Sequence, residues 1–333
     1  MKPSSSDPTP EPKLSLRPDG SPRPEGFAQM ETGKVFLRPI SASEESNVGG
    51  HAQLLLLTGT NAGQVFSLDR TLTEFVVGRG QDALVCIEDV EASRAHCKIT
   101  VVGDGKAKRY VIEDLRSKNG TYVNAQPIVN PTDLTPGDRV HIGPNLVLRF
   151  SVVDAAEDSL ARQLYETSTR DALTKSYNRR YFVERLASEL AFAQRHKTRL
   201  SIVLLDLDHF KQKNDKHGHM GGDAVLRAVS ACVEKLVRTE DVFARYGGEE
   251  FILLVRGIGH ENVHLIAERV RRAIERLKIT FDGAYLPTTV SIGISSLDEF
   301  PVGASIDALI TLADKRLYAA KSAGRNQVCS AGL

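Results

Sequence analysis

The rhythm of apolar residues changes once along this 333-residue chain, and that change constrains the fold more than any single motif. Before residue 154 the apolar residues come in short runs, at 53–57, 64–68, 74–77, 97–102, 110–113 and 146–152. Turn signals separate them, among them Asn61-Ala62-Gly63, Asn119-Gly120, Pro136-Gly137-Asp138 and Gly143-Pro144-Asn145. Many short strands with no helical period predict an all-β sandwich. From residue 171 onward, helical patterns at 181–194, 223–237, 261–277 and 306–323 alternate with strand-like runs at 200–206, 242–246, 250–255 and 288–295. That alternation predicts an α/β domain, a sheet with flanking helices. Residues 154–170 lie between the two patterns and read as a helix, with Asp154 able to cap its start and Leu160 and Leu164 four apart. A helix paired with its copy in a second chain and a solvated linker both fit that segment.

Residues 1–50 are rich in Pro, Ser, Gly and charge, so they bury too little apolar area to offset the entropy of ordering. The expected organisation is a disordered tail (1–50), a β-sandwich (51–153), a linker helix (154–170) and an α/β domain (171–333). The formal net charge of +1 leaves no surplus to favour a nucleic-acid or membrane surface. No run is long and apolar enough to span a bilayer, and the start lacks the pattern of a secretory signal. The four cysteines, at 86, 97, 232 and 329, form no CxxC pair, which argues against a zinc site or a disulfide scaffold. A cytoplasmic protein with no nucleic-acid or membrane partner is the expectation.

Two acidic clusters carry the chemistry of the second half. Asp206-Leu207-Asp208 ends the apolar run at 202–205, and Gly247-Gly248-Glu249-Glu250 sits between two strand-like runs. A Gly-Gly turn permits positive φ and lets a flat ligand approach the backbone. Carboxylates at a strand end and at a neighbouring turn are placed to share a hard cation such as Mg²⁺. Metal-dependent nucleotide chemistry follows as the expectation, whereas a lone Glu-Glu pair would be only an exposed acidic turn.

The region from Asp171 to Asn326 resembles the GGDEF family of diguanylate cyclases. The residues that carry the likeness are Asp171-Ala-Leu-Thr-Lys-Ser-Tyr-Asn-Arg-Arg180, Asp206-Leu-Asp-His-Phe-Lys-Gln-Lys-Asn-Asp215 and His217-Gly-His-Met-Gly-Gly-Asp223. They continue with Gly247-Gly-Glu-Glu-Phe251, Val290-Ser-Ile-Gly-Ile294, Ala313-Asp-Lys-Arg-Leu-Tyr318, Lys321 and Gly324-Arg-Asn326. The resemblance implies that two GTP molecules condense into cyclic di-GMP and two pyrophosphates across a homodimer. It implies that Asp206, the Leu207 carbonyl and Glu249 hold Mg²⁺, with Mn²⁺ as an alternative, and that Asp206, Glu249 and Glu250 are catalytic. Asn214 and Asp223 match the positions that read guanine, where an amide and a carboxylate together suit a base's acceptor and N–H donors. Phe210, Lys211, Gly247, Gly248, Lys321 and Arg325 match positions around the rest of the nucleotide. Arg238-Thr-Glu-Asp241 matches the family's product-inhibition pair, with Arg269 as a secondary contact. One departure is Lys175-Ser176, where the family carries glycine after Leu-Thr. A catalytically silent cyclic di-GMP sensor and a phosphopeptide adaptor are the alternative functions; the intact acids favour the enzyme.

The front domain resembles the forkhead-associated (FHA) family through Gly78-Arg79, Ser93-Arg94-Ala95-His96, Asn119-Gly120-Thr121 and Val123-Asn124. By resemblance it reads phosphothreonine through Arg79, Ser93, Arg94, Asn119 and Thr121, with His96 and Gly78 architectural. Arginine and hydroxyl donors suit a phosphate dianion. The peptide would come from the tail around Thr9 or Thr32, or from another phosphoprotein.

Overall fold

The computed structural model describes residues 50–330, apart from 60, 69–70, 81, 88, 90, 104–107, 239 and 302. The expected disordered tail, with Thr9 and Thr32, lies outside the described residues but for Gly50.

The first domain runs β1 (His51–Leu56), β2 (Val65–Leu68), β3 (Glu74–Gly78), β4 (Val85–Cys86), β5 (Cys97–Val102), β6 (Arg109–Asp114), β7 (Thr121–Val123), β8 (Gln126–Pro127), β9 (Thr132–Leu134), β10 (Arg139–Ile142) and β11 (Leu146–Val153). Two sheets form, in the orders β2-β1-β11-β10-β7-β8 and β4-β3-β5-β6-β9. The cause is legible along β11: Leu146, Leu148 and Phe150 alternate inward, where the Phe150 ring meets Tyr110 in a tilted pair with centroids 5.1 Å apart. Leu54, Phe75, Ile99 and Ile112 complete the shared core. Full burial of each such side chain contributes about 1.5–3 kcal/mol.

A helix, α1 (Ala155–Thr169), follows at once, capped by the Asp154 carboxylate accepting from Glu157 N–H. Leu160 and Leu164 stand 55% and 60% exposed on it. The second domain continues with β12 (Tyr177–Asn178), α2 (Arg179–His196), β13 (Leu200–Leu207), α3 (Phe210–Glu234), β14 (Val242–Gly247), β15 (Glu250–Arg256), α4 (His260–Glu275), β16 (Thr280–Phe281), β17 (Ala284–Tyr285), β18 (Val290–Ser296), α5 (Ile306–Ser322) and β19 (Val328–Cys329). Its main sheet has the order β12-β14-β15-β13-β18-β19.

Every residue of β13 is buried, because helices cover both faces of the sheet. Ile202 and Leu204 point to the layer of α2 and α5, while Val203, Leu205 and Leu207 point to that of α3 and α4. Gly293 of β18 lets α5 lie directly on the strand: a Cβ there would overlap Ala313 O and Leu317 N and come 3.0 Å from Leu317 Cα.

The helix expected at 223–237 begins earlier, at Phe210, and is interrupted at Gly218, whose φ is 71°. Its first half escaped the periodicity because Lys211, Gln212, Lys213, Asn214, Asp215 and Lys216 offer no apolar stripe. Lys175, the departure from the family's glycine, adopts a left-handed φ of 62°, the conformation glycine takes freely. The domains meet where the Tyr181 hydroxyl of α2 donates to Asn61 Oδ1 at 2.6 Å, and where Ser67 donates to Asp158 of α1 at 3.0 Å. Among the described residues no helix is long and apolar enough to cross a membrane, and none of the cysteines is in a disulfide. Burial pushes the Cys97 thiol up to about 12.

Candidate active site

The antiparallel register of β13 and β15 sets Asp206 opposite Glu250. The β14–β15 hairpin turns at Gly247-Gly248, with Gly248 at φ 48°, and carries Glu249 beside the end of β13. There the Leu207 N–H donates to the Glu249 carbonyl at 3.4 Å. Arg245 fixes the turn from outside the motif: its Nε donates to Gly248 O at 2.9 Å and its Nη1 meets Asp171 at 3.2 Å. Nothing lies within 4 Å of a Cβ built on Gly247 or Gly248, so the turn is open to a ligand.

Lys321, from the last turn of α5, pairs with Asp206 Oδ2 at 2.7 Å. Burial raises the Asp206 carboxyl, the hydrogen bond and charge of Lys321 oppose that, and Glu249 and Asp208 add to it. Glu250 is also raised, by burial first and then by Asp206. The acids therefore repel one another around the Lys321 ammonium. The donor set of Asp206, Leu207 carbonyl and Glu249 is all oxygen, which suits a hard divalent cation. Among the described residues no three His, Cys, Asp or Glu side chains form a metal cluster, and this donor set uses only two side chains.

Asn214 lies on the first half of α3, with its buried Oδ1 lacking a hydrogen-bond partner. It rests against Gly222, where a Cβ would overlap that oxygen, and Asp223 follows directly. The break at Gly218 thus lets the Asn214 amide lie against Gly222, the residue before Asp223, with an unmet acceptor between the helical halves. Asp223 is otherwise engaged only loosely, 3.9 Å from Arg227. Phe210 is buried against Gly222, Lys211 is exposed, and Arg325 stands exposed on the turn after α5.

The Arg238–Asp241 pair is arranged through the backbone. Arg238 N–H donates to Asp241 Oδ2 at 3.2 Å, and Asp241 N–H returns to Arg238 O at 3.1 Å. Asp241 is buried, which raises its carboxyl, while the Arg238 guanidinium faces Glu240 at 3.8 Å. Arg269 of α4 reaches the same corner, donating to Leu236 O at 2.7 Å.

In the front domain, Arg79 N–H donates to Ser93 O and Gly80 N–H to Arg94 O, so the turn after β3 lies on the 93–94 loop. Gly78 permits this, since its Cβ would strike the Ser93 and Arg94 carbonyls. His96 is wholly buried; its Nδ1 accepts from Ser93 N–H at 3.1 Å and its Nε2 meets Gly120 O at 3.1 Å. That joins the two recognition loops. Ser93 Oγ accepts from Lys118 N–H, and Asn119 Nδ2 donates to Glu91 O at 2.9 Å. Thr121 departs from expectation: it is buried, and its hydroxyl donates to Asp114 at 2.6 Å, so it faces the interior and not the loop mouth.

The profile of the family described as "Diguanylate cyclase, GGDEF domain" matches residues 168–327, and that of the FHA domain matches 75–143. Diguanylate cyclase A of Treponema denticola is 38% identical over 169 residues, 50% of this chain and 45% of that protein. Diguanylate cyclase DosC of Escherichia coli is 38% identical over 176 residues, 51% of this chain and 38% of that protein. The match thus spans less than half the length of either relative. The solved coiled coil and GGDEF domain of DgcB from Caulobacter crescentus, in complex with c-di-GMP, is 30% identical with a TM-score of 0.50. It covers 53% of this chain and 92% of that one. The chain belongs to the GGDEF family, with an FHA domain on the N-terminal side of its GGDEF domain.

Proposed function

We propose that the chain is a diguanylate cyclase, condensing two GTP into cyclic di-GMP and two pyrophosphates between two copies of itself. The observation that carries this is the meeting of Asp206, Glu249, Glu250 and Lys321 at the β13 end and the open Gly247-Gly248 turn. Each domain binds one GTP. Asn214 and Asp223 read the guanine edge, an amide and a carboxylate together suiting its acceptor and N–H donors. Phe210 and Lys211 flank the nucleotide, Gly247 and Gly248 leave it room, and Lys321 and Arg325 take its polyphosphate. Each 3′-hydroxyl then attacks the α-phosphorus of the other GTP, forming a P–O bond as the bond to pyrophosphate breaks. Glu250, with its raised carboxyl beside Asp206, is the group placed to take the hydroxyl proton. Asp206, the Leu207 carbonyl and Glu249 would hold Mg²⁺, or Mn²⁺, which when bound lowers the hydroxyl pKa and offsets phosphoryl charge.

The same reading makes the protein cytoplasmic, where GTP is supplied, and gates it twice. Arg238, with Asp241 and Arg269, takes cyclic di-GMP as inhibitor. Arg79, Ser93, Arg94 and Asn119 take a phosphothreonine peptide, from the tail around Thr9 or Thr32 or from another phosphoprotein. Turnover of the purified chain, stripped of cyclic di-GMP and supplied with GTP and Mg²⁺, tests the core of it. Cyclic di-GMP and pyrophosphate should appear in a one-to-two ratio. Absence of both, even with Arg238→Ala and a phosphothreonine peptide present, would overturn the cyclase reading.

A further inference from the structure

Arg325 occupies an unfavourable backbone. Its φ is 64° and that of Asn326 is 46°, two consecutive non-glycine residues in the left-handed region. Asn tolerates that region, but for Arg it is disfavoured by the close approach of Cβ to the backbone. Such strain persists only where the surroundings over-determine it. Here they do so through Asn326, which is held on three sides. Its backbone N–H donates to Asp208 Oδ2 at 3.1 Å, its Oδ1 accepts from Arg271 Nη1 at 2.8 Å, and its Nδ2 donates to Glu275 Oε1 at 2.7 Å. Arg271 is itself clamped by Glu268 and Glu275, each at 3.2 Å.

Asp208 is the hub of this arrangement. It is buried, and its carboxylate also accepts from Thr289 Oγ1 at 2.8 Å and Ser291 Oγ at 2.7 Å. One side chain thereby ties three segments together: the acid-bearing end of β13, the start of β18, and the turn after α5. The Arg325 guanidinium itself has no partner among the described residues and stays exposed. The Arg325 backbone N–H donates to Ala320 O at 3.1 Å, so the main chain from which the side chain leaves is held by α5 on one side and by Asn326 on the other.

We propose that Asp208, Asn326 and Arg271 form a brace that aims Arg325 at the nucleotide polyphosphate, making all three positioning residues that act through Arg325. The inference rests on the cyclase reading and assigns a task to Asp208 and to α4 within it. Asp208 is a brace here and not a ligand. Its two oxygens already accept three hydrogen bonds, which leaves the reacting face to Asp206.

A double-mutant cycle on the full chain tests this, read as affinity for a GTP analogue with a methylene between the α- and β-phosphates, by calorimetry with Mg²⁺ present. A misaimed guanidinium forfeits a charge-assisted bond, so Arg271→Met should weaken binding about tenfold in the wild-type background. In an Arg325→Ala background the same change should weaken it less than about twofold. Asn326→Gly, which keeps left-handed freedom and removes both side-chain bonds, should reproduce that dependence on background. Equal weakening in both backgrounds, or none in either, would overturn the brace. If the wild-type chain bound no analogue, the cyclase reading itself would fall, and the brace with it. Loss of thermal stability in Arg271→Met does not imitate the expected result, since it would act in both backgrounds alike.

Discussion

Gly293→Ala is a change of one methyl group whose consequence can be worked out from α5. The added Cβ would overlap Ala313 O and Leu317 N, with Leu317 Cα at 3.0 Å. All three are backbone atoms of a helix, so no rotamer change relieves the contact; the helix must move off the strand. Overpacking of this kind costs about 1–3 kcal/mol, and a contact with rigid backbone lies at the upper end. Reduced freedom of the unfolded chain returns about 0.4–1 kcal/mol. The net loss is about 2 kcal/mol, or roughly 4–8 °C in Tm for a domain of this size. The displacement also has a chemical readout. Lys321 sits one turn beyond Leu317 on α5, and its 2.7 Å pairing with Asp206 depends on the seat of that helix. Turnover at a temperature where the variant stays folded should therefore fall. Ser295→Ala, on the same strand, is the control, because it removes a buried hydroxyl without a hydrogen-bond partner and should lower neither quantity. Thermal unfolding followed by turnover of both variants would decide it. A Gly293→Ala protein with wild-type Tm and wild-type turnover would refute the reasoning about how α5 is held.

Glu249→Gln should abolish cyclic di-GMP synthesis while the thermal midpoint and cyclic di-GMP affinity at Arg238 stay near wild type; normal turnover would contradict the metal assignment. Glu250 titrates above its ordinary 4.5 in the folded chain, so its contribution to stability is present below pH 4.5 and lost as pH rises through the raised value. Glu250→Gln should hence melt higher than wild type at neutral pH, with the gap closing as pH falls below 4.5, as thermal scans across pH would show. Arg79→Ala should lose phosphothreonine-peptide binding in calorimetry with little change in Tm. Thr121→Val should do the reverse, losing about 1.5–3 kcal/mol as Asp114 forfeits its hydroxyl donor. Lys175→Gly should relieve a left-handed lysine and stabilise the chain by up to about 1 kcal/mol, measurable by denaturant titration.

Much of the fold is legible where burial leaves a simple pattern. β13 reads directly from its continuous apolar run, and β11 from strict alternation. The first half of α3 does not, because after Phe210 its residues from Lys211 to Lys216 are polar and leave no apolar stripe. Strands of two residues, such as β12 and β19, leave no periodicity to read. At the site, residue types and order identify the participants, but their pairings are tertiary facts. Nothing in the sequence places Lys321 on Asp206, 115 positions earlier, or Arg271 on Asn326. Thr121 was open to a closer reading. Thr121 and Val123 alternate inward about Tyr122 in β7, and that alternation predicts a buried hydroxyl despite its place in the motif.

The short edge strands bear on assembly. The main sheet of the GGDEF domain ends on both sides in a two-residue strand, β12 on one flank and β19 on the other, each paired in parallel. An exposed strand edge is a template on which a foreign chain can be built, and brevity is one of the ways that proteins remove it. This sheet offers an incoming backbone too few consecutive donors and acceptors to zip against. Runaway polymerisation by edge-to-edge growth is thereby suppressed, and any meeting of two such domains is left to side-chain surfaces, which can be made reversible and ligand-dependent.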